Sequence, residues 1–83
     1  MDQSLIVFVM VAEKQNFTRA AEALHMTQPA VSQYIQTLER TIGARLLERS
    51  NKYVRLTKAG EIVCHHAQEM IRLAEGAMHG LTT

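Results

Sequence analysis

One cysteine in 83 residues, Cys64, leaves no partner for an internal disulfide and fits a reducing compartment. No stretch approaches the roughly 18 consecutive apolar residues of a membrane span, so no membrane partner is expected. The N-terminal stretch MDQSLIVFVMVAEK has an acid at position 2 and no basic residue ahead of its apolar segment. That pattern argues against a secretory signal and for a cytoplasmic protein. Neither GxGxxG nor GxxxxGK occurs, which makes a nucleotide site improbable. The one cluster with metal-ligand chemistry is Cys64, His65 and His66, but consecutive helical residues project about 100° apart and do not converge on one ion. Cys64 has no flanking lysine or arginine to stabilise a thiolate, so a buried structural thiol is expected in place of a redox switch. His25 falls in an expected turn and His79 near the chain end, neither in a general-base arrangement. The expectation is a protein with no metal, no cofactor and no catalytic residue.

What is present is a globular composition, 47% hydrophobic with 20% charged residues. A chain of this length makes one small domain that buries only about 60% of its unfolded surface, so a partner chain would help to stabilise it. The net charge of +1 looks too small for a nucleic-acid binder until it is divided along the chain. Residues 1–39 carry −2 and residues 59–83 carry −2, whereas residues 40–58 set Arg40, Arg45, Arg49, Lys52, Arg55 and Lys58 against Glu48 alone, a balance of +5. Counterion release at a phosphate surface depends on such local charge. A merely solvated basic loop is the alternative.

Residues 18–42, TRAAEALHMTQPAVSQYIQTLERTI, read as a short helix, a tight turn and a longer helix. Thr18 is a capping candidate for the first, and Ala20 and Ala21 are small where two helices approach, with Leu24 closing the buried stripe. Thr27 can cap the second, and Pro29 suits its first turn, where the missing N–H costs nothing. On that second helix Val31, Ile35, Leu38 and Ile42 share one face. Pro29, Gln33, Gln36 and Arg40 project oppositely, flanked by Gln28 and Ser32. A glutamine amide offers both donor and acceptor, matching adenine N6 and N7 in the major groove. The same face also suits plain solvation.

Upstream, Leu5, Phe8, Val9 and Ala12 recur at i, i+3, i+4 and i+7, predicting an amphipathic helix over 3–14 with Asp2 or Ser4 near its cap. Gln15 and Asn16 end it, and Phe17 inserts into the core. Downstream, Gly43 stops the reading helix. Leu46 and Leu47 then begin a small hairpin, with a turn at Ser50, Asn51 and Lys52 and alternation from Tyr53 to Leu56. Such a wing would set Arg49, Asn51, Lys52 and Arg55 beside the reading helix, at the minor groove or on phosphates. Thr57 caps a last helix running to about Gly80. Val63, Ala67, Met70, Ala74, Ala77 and Leu81 form a two-position heptad seam, widened by Ile62, Ile71 and Met78. Gly76 and the seam alanines permit close approach. A helix of about 23 residues would be roughly 35 Å long and would project beyond so small a globule. Pairing through this seam would give a homodimer reading an inverted repeat, while packing back on its own domain is the alternative.

These residues resemble the N-terminal domain of LysR-type transcriptional regulators over nearly the whole chain. The matching positions are Phe8; Phe17, Ala20, Ala21 and Leu24; Thr27 through Ser32; Ile35, Leu38 and Glu39; Gly43, Leu46, Leu47 and Arg49; and Leu56, Thr57 and Gly60. The resemblance implies a mainly α, winged helix-turn-helix with a small β-hairpin wing and a long C-terminal linker helix. It implies a DNA-binding unit over 1–57 and a linker and dimerisation helix over 58–83. A larger effector-binding domain normally follows and is absent from this sequence; a tetramer is the further expectation for a longer chain. Carried onto this chain, Gln28, Pro29, Ala30, Ser32 and Gln33 match base-reading positions of double-stranded operator DNA, and Thr18, Arg19 and Thr27 match backbone contacts. Gln36, Arg40, Arg49, Asn51, Lys52 and Arg55 complete the expected backbone and wing surface. The sequence departs from the common pattern at Asn16, where serine is frequent, at Leu47, where phenylalanine is, and at Gln33, where arginine is. A neutral amide at 33 leaves the base preference open and could favour adenine over guanine. The competing reading is a helical protein-interaction module that dimerises through the heptad helix and makes no use of the basic strip.

Overall fold

The computed structural model describes residues 2–82, so positions 1 and 83, the outer bounds of the two expected units, lie outside the described residues. Four helices and one hairpin follow in the order α1 (Gln3–Lys14), α2 (Phe17–Leu24), α3 (Gln28–Ile42), β1 (Leu47–Arg49), β2 (Val54–Leu56) and α4 (Lys58–Thr82). This is the mainly helical, winged arrangement that the sequence predicts.

Each helix boundary has a local chemical cause. Asp2 caps α1 by accepting from the Ser4 amide at 2.8 Å, and Gln15 closes it in the left-handed region at φ 52°. The next cap corrects the expectation for Thr18: Asn16 Oδ1 accepts from the Arg19 amide at 2.8 Å, so Thr18 lies within the first turn of α2. Asn16 takes the cap because it is the last residue with extended backbone before the helix. Thr27 caps α3 by accepting from the Ala30 amide at 3.2 Å, and Gly43 ends it at φ 80°. His25, also left-handed at φ 55°, turns the chain between α2 and α3.

The core draws Val7, Phe8 and Val11 from α1, Phe17, Ala20 and Ala21 from α2, and Val31, Ile35 and Leu38 from α3. Leu46 and Leu47 close it beside the wing, and Cys64 and Ala67 close it from α4. The buried residues of α1 are Ser4, Val7, Phe8, Val9 and Val11, so Phe8 and Val9 of the expected stripe are buried, whereas its ends, Leu5 and Ala12, are half-buried and Ser4, Val7 and Val11 take their place. The run LIVFVMVA satisfies several helical stripes at once, and α1 packs against α2, α3 and α4, so tertiary packing chooses among them. Ile42, expected in the α3 stripe, is instead 43% exposed in the last turn of the helix, next to the Gly43 stop.

The wing is a two-stranded antiparallel hairpin in which Leu47 faces Leu56, Glu48 faces Arg55 and Arg49 faces Val54. Leu47 is buried and Val54 and Leu56 half-buried, leaving Glu48, Arg49 and Arg55 exposed. Thr57 caps α4: its Oγ1 accepts from the Gly60 amide at 3.0 Å and donates to the Arg45 carbonyl at 2.6 Å. Gly60, Cys64 and Ala67 are buried on the domain, with Val63 and Ile71 half-buried beside them. This corrects the heptad seam at its start. Ala67 is fully enclosed by its own chain and Val63 partly so, because the first turns of α4 complete the small core. From 72 to 81 every residue is exposed. The last three turns of α4 extend the molecule to 46 Å along an axis whose cross-section is 25 × 20 Å. No helix among the described residues is long and apolar enough to cross a membrane.

Candidate nucleic-acid interface

Thr27 and Pro29 fix where α3 begins, and with it which side chains of its first turn face outward. Along α3, at about 100° per residue, Pro29, Gln33, Gln36 and Arg40 occupy the face opposite Val31, Ile35 and Leu38. Gln28, Pro29, Gln33, Gln36 and Arg40 are exposed, while Ala30 and Ser32 are half-buried. The two flanks of this face meet different neighbours. Gln28 and Ser32 look toward the wing and share a groove of about 400 Å³ with Thr18, Arg49, Asn51 and Lys52. Ala30 and Gln33 lie on the α1 side, in a separate depression of about 380 Å³ with Ser4, Tyr34 and Thr37. The five expected base-reading residues are therefore adjacent on one helix but divided between two clefts, with Pro29 between them.

Stacking and short-range hydrogen bonds hold the wing. The Arg49 guanidinium lies 4.7 Å from the centroid of the buried Phe17 ring, tying the end of β1 to the start of α2. Arg55 stacks at 3.7 Å on Tyr53, which keeps that cation extended along the outer face of β2. An arginine held over an aromatic ring loses less freedom on meeting a phosphate than a free one, and its N–H edge stays available. The turn is closed by the Ser50 amide donating to the Tyr53 carbonyl at 3.0 Å and the Lys52 amide donating to Ser50 Oγ at 3.1 Å. Lys52 and Asn51 thus sit at the exposed tip.

A second groove, lined by Gln36, Glu39, Arg45, Arg49, Ser50 and Asn51, runs from the middle of α3 to the wing. Arg40 lies beyond it beside Gln36 and Arg45. Arg19 and Thr27 are exposed at the two ends of the α2–α3 turn unit, and Arg19 lines none of these grooves. Arg40, Arg45, Arg49 and Lys52 thus line connected grooves along α3 and the wing, whereas Arg72 lies on α4, ion-paired with Glu69. Arg45 and Ser50 join this surface although the sequence names neither among the DNA-facing residues. Arg45 is visible there only as part of a charge run, and its place depends on a loop that folds back onto α3. Glu39 is likewise visible only as a motif residue with no stated job; its contacts are made seven and eight residues away, which helical periodicity does not report.

Cys64 lies outside these grooves, buried between α4 and α1. Burial pushes its thiol above the ordinary range, and the nearby Glu13 carboxylate adds to this, both favouring the neutral thiol over the thiolate. Among the described residues no group of three or more His, Cys, Asp and Glu is placed to hold a metal ion.

Comparison with known proteins places this geometry. Residues 3–61 match the family described as "Bacterial regulatory helix-turn-helix protein, lysR family". The HTH-type transcriptional regulator CfxR of Cupriavidus necator is 42% identical over 95% of this chain and 25% of its own length. The HTH-type transcriptional regulator BudR of Raoultella terrigena is 49% identical over 86% of this chain and 24% of its own. The chain thus spans about a quarter of the length of these relatives. Among solved structures, a BenM DNA-binding domain in complex with catB site 1 DNA superposes with a TM-score of 0.93. It is 34% identical, over 99% of this chain and 92% of that one.

Proposed function

From the premise that the chain belongs to the lysR family of bacterial regulatory helix-turn-helix proteins, we propose the following division of labour for its surface. The chain is a DNA-binding domain of a transcription regulator and not an enzyme. α3 enters the major groove, with Gln28, Pro29, Ala30, Ser32 and Gln33 at base edges. Thr18, Arg19, Thr27, Gln36 and Arg40 hold the sugar-phosphate backbone, and the wing brings Arg49, Asn51, Lys52 and Arg55 to the minor groove and its phosphates. Residues 1–57 form the DNA-binding head and 58–83 the linker helix of a longer, cytoplasmic regulator. Two copies pair through the exposed part of α4, so that two α3 helices read an inverted repeat.

The observation that carries this reading is the groove in which the start of α3 and the cationic wing tip converge, Gln28 and Ser32 facing Arg49 and Lys52. A polar helix face and a local balance of +5 could each be ordinary surface; their meeting across one groove is what a duplex requires. The test is selection of duplexes from a randomised pool by the 83-residue chain, followed by fluorescence titration at several salt concentrations. Gln28→Ala with Gln33→Ala should cost about 1–3 kcal/mol of sequence preference for each base no longer read, with the fold intact. Lys52→Ala should weaken binding to all duplexes alike and lower the salt slope by about 0.9 per phosphate neutralised. Unchanged DNA binding in both variants would refute the assignment of roles.

A further inference from the structure

A carboxylate is out of place on a surface meant for phosphates, yet Glu39 projects from α3 into the groove between the reading helix and the wing. Its side chain is only 11% exposed. Oε2 accepts from the Leu46 amide at 2.7 Å and the Leu47 amide at 3.3 Å, and the Arg45 Nε stands 3.7 Å away. Residues 45–47 thus form a three-residue strap between α3 and the wing, and its opposite edge is held by the cap of α4. Thr57 Oγ1 donates to the Arg45 carbonyl at 2.6 Å, and the Thr57 amide donates to the Leu46 carbonyl at 3.0 Å. Leu47 is also the first residue of β1, paired with Leu56. Glu39 is thus the polar link, among the described residues, from the exposed half of the reading helix to the root of the wing.

We infer that Glu39 is a positioning residue for DNA binding: it fixes the wing at the angle to α3 that lets both reach one duplex together. The inference rests on the DNA-binding reading above and names a residue that touches no DNA in it. A purely electrostatic role has the opposite sign. If the carboxylate merely repelled phosphates, removing it would tighten binding to every duplex. If it positions the wing, removing it loosens the strap, the wing ceases to be preorganised, and binding carries an ordering cost that was absent before.

The experiment uses a duplex selected from a random pool by the unmodified chain, and measures affinity at several salt concentrations together with hydroxyl-radical protection of the minor groove. Glu39→Ala should lose roughly tenfold in affinity and the wing's minor-groove protection, while preference at the bases under α3 persists. Adding Glu39→Ala to Arg49→Ala and Lys52→Ala should cost nothing further, since the wing it places no longer contributes. Glu39→Gln, which keeps an oxygen acceptor for the two amides, should recover most of the loss. Glu39→Asp keeps the charge but not the reach, so it should behave like alanine; it also decides the matter if the alanine variant fails to fold. Binding by Glu39→Ala as tight as the unmodified chain's, or a loss fully additive with the wing substitutions, would overturn the inference alone. An unmodified chain with no preference for any duplex over the pool would remove the reading beneath it.

Discussion

Gly60 sits one turn into α4 where the helix crosses the strap, and a Cβ there would stand 2.0 Å from the Leu46 carbonyl oxygen and 2.9 Å from its carbon. Backbone cannot swing aside as a side chain can, and this carbonyl is already committed to the Thr57 amide. Gly60→Ala is expected to destabilise the domain by on the order of 3 kcal/mol, seen as a lowered thermal midpoint; an unchanged midpoint would mean the crossing is looser than this spacing requires. Cys64 makes a prediction of the opposite kind, about pH. Its folded thiol titrates above its ordinary value, because of burial first and Glu13 second. The neutral thiol is therefore favoured in the folded state. That contribution is fully present below the unfolded thiol pKa and is lost as pH rises through the folded one. Cys64→Ala should flatten the alkaline fall in stability relative to the unmodified chain, and iodoacetamide at about pH 8, near the ordinary thiol pKa, should label the native thiol far more slowly than the unfolded one. Equal labelling rates would place Cys64 at an accessible surface.

Within single elements the sequence was legible where one local rule acted alone. Thr27, Pro29 and Gly43 bracket α3 because capping, a missing N–H and a left-handed stop are all settled by immediate neighbours. The hairpin register likewise follows from its turn and its alternation, and the observed pairing of Leu47 with Leu56 puts Leu47 in the core and leaves Arg55 in solvent. Legibility ended where two rules competed or where the partner was distant. Asn16 and Thr18 are both capping types, and only the backbone at 16 decides between them. In α1 an almost continuous apolar run supports several stripes, so the phase was set by neighbours the helix does not encode. The candidate interface divides along the same line. The outer face of α3 could be read from an angle, but that Gln28 and Ser32 meet the wing whereas Gln33 meets the α1 side required the packed hairpin. The roles of Arg45 and Glu39 depend on chain folded back over six to eight residues, and neither periodicity nor charge balance carries that information.

At the scale of the whole molecule, α4 leads two lives. Its first turns are core, with Ala67 fully enclosed, while Met70, Leu73, Met78 and Leu81 stand 43%, 69%, 67% and 87% exposed on the projecting part. Leu73 falls outside the expected two-position seam, yet it lies within about 80° of Met70, Ala77 and Leu81 around the helix, so the unpartnered apolar face is broader than the heptad alone. Exposing so many large apolar side chains on one helix is costly in water, and the proposed pairing with a second copy would remove them from it. The two halves of α4 should therefore respond differently to the same chemical insult. Ala67→Asp buries an uncompensated charge in the core and should unfold the domain. Leu73→Asp or Met70→Asp should leave the helical signal and thermal transition of the monomer in place while shifting sedimentation from dimer to monomer. The monomer should still bind a single half-site, with its salt dependence roughly halved per duplex. On an inverted repeat it should lose the roughly 10²–10⁴-fold gain that linking two reading heads provides. A Leu73→Asp chain that sediments as an unchanged dimer would move the interface off this face of α4, and with it the spacing at which two α3 helices address DNA.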